Sequence, residues 1–253
     1  MTAPRLSALV VARDEAAQLA ECLATLAFAD EIVVVLDRCT DGSAAMARGF
    51  AHRVLEGAWE REGPRRNAGI AACTGDWILE VDADERVTPA LAAAVRRHIG
   101  DAAPGHALVP YANVVNGRHV RHGWGASWGV AATARLFARG CKTWGEERVH
   151  PRVTLHGAAA RLDEPMVHLM AGDVSGLLRR LDRYATLRAQ DLREQGRVGS
   201  LPGALRRGAS RFLKCYVARQ GWREGALGFL NALCAGLYPV LAHLKARLDP
   251  PGA

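Results

Sequence analysis

Short apolar runs alternate with longer amphipathic segments over residues 6–99. The runs Leu6–Ala12, Glu31–Leu36 and Trp77–Val81 show little alternation of apolar and polar residues, which is typical of strands buried on both faces. Between them, segments such as Glu15–Leu26 repeat apolar residues at helical spacing. The order strand, helix, strand, helix predicts an α/β fold whose mostly parallel central sheet carries helices on both faces.

Beyond this region the pattern changes to short strands and one long helix. Ala107–Val115 and Arg118–Arg121 flank Asn116-Gly117, a dipeptide typical of a two-residue hairpin turn. A Gly/Trp-rich segment follows at 123–129, and Asp173–Gln195 is predicted to form a long helix with a charged outer face. This half of the chain is therefore expected to be built differently from the first.

The last part of the chain, from Leu205, is basic and apolar together. Its basic residues are Arg206, Arg207, Arg211, Lys214, Arg219, Arg223, Lys245 and Arg247. Ala226–Ala242 carries almost no charge, is slightly short of a bilayer span, and is interrupted by Asn231 and Pro239. We therefore predict an amphipathic helix or helical pair that lies on an anionic membrane. An ordinary core helix and a transmembrane helix are the alternatives.

Charge and cysteine usage indicate the class of partner and the compartment. The net charge of +7 comes mostly from arginine and is concentrated towards the C-terminal end, which indicates an anionic partner. The six cysteines are scattered without a Cys-x-x-Cys pair, as in proteins whose thiols stay reduced. Arg13, Asp14 and Glu15 directly follow the first apolar run, unlike the sequence of a signal peptide. We expect a cytoplasmic protein.

Two aspartates at the end of an apolar run carry the clearest chemical signal. Asp82 and Asp84 follow Trp77–Val81, and side chains two residues apart on an extended chain share a face. Asp37 ends the run Glu31–Leu36, and parallel sheets bind their ligands beyond the carboxyl ends of the strands. Paired carboxylates there suit a hydrated divalent cation that also takes oxygens from a substrate phosphate. A solvated acidic turn is the alternative.

These motifs resemble those of family 2 glycosyltransferases with the GT-A fold, and most of all those of the bacterial lipopolysaccharide core glycosyltransferases of the WaaE type. The resemblance covers nearly the whole chain. It is carried by Val10–Glu15, Asp30–Asp37, Thr40–Ser43, Arg66-Asn67, Gly75–Val87, Phe212–Lys214 and Gly225–Phe229. The family usually has serine or glycine after the aspartate of the second strand, where this chain has Arg38-Cys39.

The resemblance implies an inverting transfer of a sugar from a nucleotide-diphosphate donor to a hydroxyl group of a lipid-linked or lipopolysaccharide-core glycan. The expected donor is a UDP-sugar. Asp37 would contact the nucleoside, Asp82 would lie near the ribose or a metal-bound water, and Asp84 would bind Mg²⁺ or Mn²⁺. Arg66 would lie near the nucleoside or the diphosphate. The remaining residues of the implied nucleotide-sugar site are Ala12, Asp14, Glu15 and Ala83.

The general base is expected after the Asp-x-Asp motif. Inversion by direct displacement needs a carboxylate that takes the acceptor's proton opposite the leaving group. The carboxylates considered are Glu146, Glu147, Asp163, Glu164 and Asp173. We favour Glu147, with Glu146 second, because the pair follows the Gly/Trp-rich segment and precedes Arg148-Val149-His150. Neutralisation of a nearby arginine is the alternative role for either glutamate.

Two histidines and two tryptophans complete the set of candidate residues. His150 is expected to join Asp82 and Asp84 at the metal or to touch the diphosphate, and His168 is the second candidate. A structural role is the alternative for both. Trp124 and Trp128 are expected to stack against a sugar ring or a lipid-linked acceptor, with simple loop packing as the alternative.

Two other functions are compatible with parts of the sequence. A nucleotidyltransferase would share the sheet and the carboxylates, but it normally has a glycine-rich basic turn where this chain has Ala12–Glu15. A non-enzymatic basic protein that binds membranes or nucleic acid would depend on the tail, although the acidic strand ends argue against nucleic acid. We expect no nucleic-acid partner.

The predicted domains follow from these assignments. Residues 1–200 are expected to form the GT-A domain, with its nucleotide-sugar half up to about 100 and its acceptor half after that. Residues 201–253 would form a basic helical extension, with Leu201-Pro202-Gly203 at the boundary. The enzyme is expected to be peripheral on the cytoplasmic face of the inner membrane.

Overall fold

The computed structural model describes residues 3–123, 132–147, 151–171 and 173–250. These residues fall into two units. The first takes the described residues up to Tyr111 and from Ala132 to His168, and the second takes those from Ala112 to 123 and from Leu169 onwards. The predicted boundary between residues 200 and 201 falls inside the second unit, so the division seen here differs from the expected one.

Strand and helix alternate through the first part of the chain, as the sequence pattern predicts. In chain order the strands are β1 (Leu6–Ala12), β2 (Glu31–Asp37), β3 (Arg53–Gly57), β4 (Trp77–Asp82), β5 (Glu85–Arg86), β6 (Gly105–Val115), β7 (Arg118–His119), β8 (Ala132–Ala138), β9 (Lys142–Trp144), β10 (Val153–Leu155), β11 (Ala158–Arg161) and β12 (Met166–Ala171). The helices are α1 (Ala16–Ala24), α2 (Ser43–Phe50), α3 (Glu62–Ala72), α4 (Pro89–Asp101), α5 (Val174–Glu194), α6 (Leu201–Leu213) and α7 (Gly225–Leu248). A π-helical stretch (Lys214–Ala218) and a 3₁₀ turn (Gly221–Glu224) connect α6 to α7.

The sheet of the first unit has the strand order β3-β2-β1-β4-β8-β6. The first four of these strands are parallel, and Val11 of β1 lies opposite Val35 of β2 and Asp82 of β4. β8 is antiparallel to both β4 and β6. The carboxyl ends of β1, β2 and β4 therefore meet at one edge of the sheet, and β8 begins at that same edge. The predicted α/β fold with a mostly parallel sheet is confirmed.

Both faces of the central strands are buried, which explains why their sequences are apolar at every position. Val10 packs in one core layer with Leu23 of α1, whereas its neighbour Leu9 packs in the opposite layer beside Ile70 of α3. Because successive side chains of a strand point to opposite faces, each strand contributes to both layers. The expected placement of helices on both faces is confirmed.

The hairpin predicted at Asn116-Gly117 is present. Asn116 and Gly117 both have the left-handed φ values, 50° and 70°, that a tight two-residue hairpin turn requires. Across the turn, Val115 of β6 pairs with Arg118 of β7. β7 is shorter than the segment that the sequence predicts, because its pairing with β6 covers two residues.

The second unit is built around α5, α6 and α7. Leu177 and Leu181 of α5 lie in the same apolar cluster as Ala235 and Tyr238 of α7, so α5 belongs with the C-terminal helices. α6 and α7 approach closely, since a Cβ atom on Gly208 would lie 2.6 Å from the carbonyl oxygen of Gly236. The predicted boundary segment is in fact the first turn of α6.

Among the described residues, one helical region is long and apolar enough to cross a membrane by length and composition alone. It spans Gly221–Leu248; its most apolar 18-residue window has a mean hydropathy of 1.6, and 44% of that window is buried inside the protein. Pro239 lies within α7 without ending it. The described structure therefore shows one continuous helix where the sequence allowed a helix or a helical pair.

Candidate active site

Asp37 lies at the carboxyl end of β2, where four hydrogen bonds surround its buried carboxylate. Oδ1 accepts from Nε of Arg38 at 3.0 Å and from the backbone N–H of Trp59 at 3.0 Å. Oδ2 accepts from Nη2 of Arg38 at 3.1 Å and from Nη1 of Arg65 at 3.0 Å. Burial favours the protonated form of Asp37, but Arg38, the Trp59 N–H and Arg65 outweigh it and hold the pKa of this carboxyl below its usual range.

Asp82 ends β4 between two arginines. Arg66 of α3 donates from Nη2 to Asp82 Oδ1 at 3.0 Å, and Arg135 of β8 donates to Oδ2. Arg135 also donates to Oε1 of Glu85 at 2.5 Å and, through Nε, to the hydroxyl of Tyr111 at 2.7 Å. Burial raises the pKa of Asp82, but Arg135 and Arg66 hold it well below its usual range. Asp82 is therefore ionised and fixed in position.

Glu85 is the buried second carboxylate of this cluster. One of its oxygens accepts the backbone N–H of Asp82 at 2.8 Å, and the other accepts from Arg135. Burial raises the pKa of Glu85 to about 7; Arg135 works against this rise and the charge on Asp82 adds to it. Asp82 and Glu85 thus share Arg135, and Glu85 is the member of the pair that takes up a proton more readily.

Asp84 and His168 lie side by side next to this cluster. Nε2 of His168 is 3.3 Å from Oδ2 of Asp84, and β12 brings the histidine there by pairing antiparallel with β5, His168 opposite Glu85. The Asp84 side chain keeps 29% of its surface exposed and that of His168 keeps 16%. The ring of Tyr111 lies 5.6 Å from that of His168.

The donor set at Asp84 fits a divalent cation. A carboxylate oxygen and an imidazole nitrogen lie within hydrogen-bond distance of each other, and both side chains are partly exposed. Carboxylates and water are the ligands that suit Mg²⁺ and Mn²⁺, and neutral imidazole is a common metal ligand. Asp82 is placed differently, because each of its oxygens already accepts from a guanidinium group. The structure places His168 at Asp84. His150 lies outside the described residues, and its role at the metal stays a prediction.

The turn after β1 is held by the loop after β2 and by the first residue of α2. Oδ1 of Asp14 accepts the backbone N–H of Thr40 at 2.7 Å, and the backbone N–H of Glu15 donates to Oγ of Ser43 at 3.0 Å. Asp14 adopts a left-handed φ of 54°. Ala12 and Ala83 are buried in the core layer beneath this edge. The structure therefore brings the expected nucleotide-sugar residues to one edge of the sheet.

Glu146 and Glu147 follow β9 and are exposed. Oε2 of Glu147 accepts the backbone N–H of Arg152 at 3.0 Å, and its pKa is lowered by its own backbone N–H and by that of Arg152. Arg61, which precedes α3, donates to the carbonyl oxygen of Glu146 at 3.1 Å. Either glutamate stays a prediction as the base. Trp124 and Trp128 lie outside the described residues.

Arg135 is a site residue that the sequence reasoning missed. An arginine at the start of an otherwise apolar run was the available signal, because a charged side chain inside a sheet needs a partner. Arg38 and Arg65, which complete the shell of Asp37, were not singled out for that role.

The chain matches the sequence model of one protein family and is similar to several known proteins. The sequence model of glycosyl transferase family 2 matches residues 7–143. Over 254 aligned residues the chain is 24% identical to the lipopolysaccharide core biosynthesis glycosyltransferase LpsC of Rhizobium meliloti (strain 1021), with 95% of this chain and 91% of that protein covered. It is also 30% identical over 88 residues to an uncharacterized glycosyltransferase of Rickettsia felis, which covers 34% of this chain and 31% of that protein.

Among solved structures, the chain is similar to glucosyl-3-phosphoglycerate synthase from Mycobacterium tuberculosis in complex with Mn²⁺, uridine diphosphate and glucosyl-3-phosphoglycerate. The two are 18% identical with a TM-score of 0.38, and the match covers 44% of each chain. The family match is broader, since it takes in Asp37, Arg66, Asp82, Asp84 and Arg135 together with more than half of the sequence. The chain therefore belongs to glycosyl transferase family 2.

Proposed function

We propose that the protein is an inverting glycosyltransferase that moves a sugar from a nucleotide-diphosphate donor to a hydroxyl group of a glycan. The observation that carries the proposal is the cluster of Asp82, Asp84, His168, Arg66 and Arg135 at the carboxyl edge of the sheet. It combines a fixed anion, a donor set for a cation and two guanidinium groups in a chain of this family.

The proposed reaction joins the acceptor oxygen to the sugar's anomeric carbon while the bond from that carbon to the donor phosphate breaks. The electron pair of the breaking bond leaves with the nucleoside diphosphate. The proton of the acceptor hydroxyl goes to a carboxylate, for which Glu147 is the first candidate and Glu146 the second. Mn²⁺ or Mg²⁺ held by Asp84 and His168 would stabilise the negative charge of the leaving diphosphate.

Asp82 has a separate role in this proposal. Each of its oxygens accepts from one arginine, and a carboxylate offers about four acceptor positions in all. It can therefore accept further hydrogen bonds from donor hydroxyl groups while Arg66 and Arg135 hold it ionised. A ribose hydroxyl is the donor group that the family resemblance favours here.

The first test is binding of nucleotides with and without Mn²⁺, measured as a change in melting temperature. A ligand that binds only the folded state raises the melting temperature by mass action. We expect a metal-dependent rise with uridine nucleotides and its loss in Asp84→Ala. A panel of nucleotides without any metal-dependent rise, or undiminished binding by Asp84→Ala, would argue against the proposed site.

A lipopolysaccharide-core or lipid-linked glycan is the proposed acceptor class. The support is the full-length similarity to LpsC, whose name places that protein in lipopolysaccharide core biosynthesis. Transfer of radiolabelled sugar to core glycans truncated at successive residues would identify the acceptor. The alternatives, a nucleotidyltransferase or a non-enzymatic basic protein, are not favoured because the chain belongs to a glycosyltransferase family.

We infer that the second unit binds an anionic membrane surface, which would place the enzyme at the cytoplasmic face of the inner membrane. Phe229, Leu233 and Leu237 are spaced four residues apart on one face of α7, and all three are exposed. On α6, the exposed Leu205 precedes the exposed pair Arg206-Arg207. Apolar side chains next to arginines match the acyl and headgroup layers of an anionic bilayer.

Cosedimentation with liposomes tests this surface. We expect the protein to pellet with vesicles that contain phosphatidylglycerol and to remain in solution with neutral vesicles. Leu233→Glu should release it from the anionic vesicles without unfolding it, because this side chain is already exposed. Equal pelleting with both kinds of vesicle would contradict the preference for an anionic surface, and no binding to either kind would favour the alternative that α7 is an ordinary core helix.

A further inference from the structure

Arg66 is oriented by more than its partner Asp82. Its Nε donates to Oε1 of Glu62 at 2.8 Å, and its Cζ lies 4.8 Å from the ring centroid of Trp144, a distance typical of a cation–π contact. A guanidinium group is planar, so two edge contacts and one aromatic face together restrict its orientation. Trp144 therefore supplies the surface against which Arg66 is held towards Asp82.

The backbone of Trp144 is fixed by the residue that follows Arg66. Nδ2 of Asn67 donates to the carbonyl oxygen of Trp144 at 2.8 Å, and the backbone N–H of Trp144 donates to Oδ1 of Asn67 at 3.0 Å. This reciprocal pair joins β9 to α3. Arg66 and Asn67 are adjacent in sequence, and both contact Trp144, one through the ring and the other through the main chain.

The indole of Trp144 is fixed from the sheet below it. Its Nε1–H donates to Oε1 of Glu80 at 2.9 Å, and the ammonium group of Lys142 contacts the other oxygen of Glu80. Lys142 also donates to the carbonyl oxygen of Ala134 at 2.7 Å and lies 4.6 Å from the Trp144 ring centroid. Glu80 and Lys142 are both buried. A buried ion pair thus anchors the ring at the position that Arg66 uses.

We propose that Trp144 is a positioning residue of the donor site, which orients Arg66 towards Asp82 and is itself fixed by Asn67, Glu80 and Lys142. The inference rests on the proposed function, because it assigns Arg66 and Asp82 to donor binding. Trp144 acts through Arg66 and needs no contact with the substrate. It links β9, which leads to the candidate base, with the helix that carries Arg66.

Two substitutions at Trp144 separate the aromatic face from the apolar bulk. Trp144→Phe keeps a ring for Arg66 but removes the N–H that binds Glu80, whereas Trp144→Leu removes the aromatic face as well. We expect Trp144→Leu to weaken donor binding about tenfold and Trp144→Phe to weaken it less, with the KM for acceptor unchanged. Trp77→Leu is the matched control, because Trp77 is buried at the end of β4 that lies opposite to Asp82, and its ring packs on His98.

A double-mutant cycle with Arg66→Lys tests whether Trp144 acts through Arg66. In the Arg66→Lys background, Trp144→Leu should change the donor Kd by less than twofold, since the guanidinium that it orients is gone. A merely structural tryptophan would lower the melting temperature in both backgrounds and leave the donor Kd of the folded protein unchanged, as we expect for Trp77→Leu.

The outcomes separate this inference from the function on which it rests. If the parent protein binds nucleotide and Trp144→Leu binds it equally well, the role of Trp144 is overturned, whereas the proposed function is not. An equal loss of affinity in the parent and Arg66→Lys backgrounds would also overturn it. A parent protein that binds no nucleotide with metal would overturn the proposed function, and the role of Trp144 with it.

Discussion

Replacing Arg135 by methionine tests the charge arrangement at the centre of the site. The substitution removes one hydrogen bond each from Asp82, Glu85 and Tyr111. Asp82 keeps Arg66, and the Tyr111 hydroxyl keeps Oγ1 of Thr133 at 2.7 Å. Glu85 is left without its cation while its side chain is only 2% exposed. Breaking a buried pair in this way costs about 3–5 kcal/mol of unfolding free energy.

A second substitution identifies where this loss arises. If the unpaired charge of Glu85 causes it, Arg135→Met with Glu85→Gln should recover at least half of the lost stability, because the neutral amide can still accept the N–H of Asp82. Denaturant unfolding at pH 8 measures the stability of Arg135→Met, of Glu85→Gln and of the double variant. The exposed Arg139, which donates to two backbone carbonyl oxygens, provides the control Arg139→Met, with an expected loss of about 1 kcal/mol. A loss below about 1 kcal/mol for Arg135→Met, or additive effects of the two changes, would refute the reasoning.

Three further predictions address the metal, the base and the pH dependence. His168→Ala should weaken Mn²⁺ binding about tenfold or more in a calorimetric titration with nucleotide present, because it removes the nitrogen beside Asp84; parent-level affinity would contradict the assignment. Glu147→Gln should abolish sugar transfer and leave donor binding intact; continued turnover by this variant would show that another residue is the general base. The lowered pKa of Asp37 adds stability that is complete above the unfolded value of 3.8 and disappears as pH falls through the folded value. Asp37→Asn should therefore flatten the acid limb of the stability profile below about pH 4, and an unchanged limb would contradict the role given to Arg38.

The parts of the site that the sequence predicts are those encoded locally. Asp37 and Asp82 end runs that are typical of strands buried on both faces, and the parallel order of these strands brings their ends to one edge. Arg135 and His168 reach the same edge differently. Arg135 is 53 residues from Asp82, and His168 is 84 residues from Asp84.

The long-range partners could not be predicted because antiparallel strands bring them to the site. β8 and β12 pair antiparallel with β4 and β5, and neither the register nor the partner strand follows from local periodicity. His168 shows this limit. Position along the chain gave no reason to place it at Asp84, whereas the pairing of β12 with β5 does so directly. His150 lies outside the described residues, so its role stays a prediction.

Under the proposed function, a nucleoside that binds Asp37 would have to displace one of the four hydrogen-bond donors that surround its carboxylate. Two oxygens with four donors have no acceptor position left, so a base N–H that reaches Asp37 must replace one of the existing donors. Arg38, whose side chain is 42% exposed, is the donor with the readiest route to solvent. Such an exchange conserves the number of hydrogen bonds, so it contributes little net binding energy. The nucleobase would then decide which nucleotide is accepted, while the diphosphate and its cation would determine how tightly that nucleotide is bound.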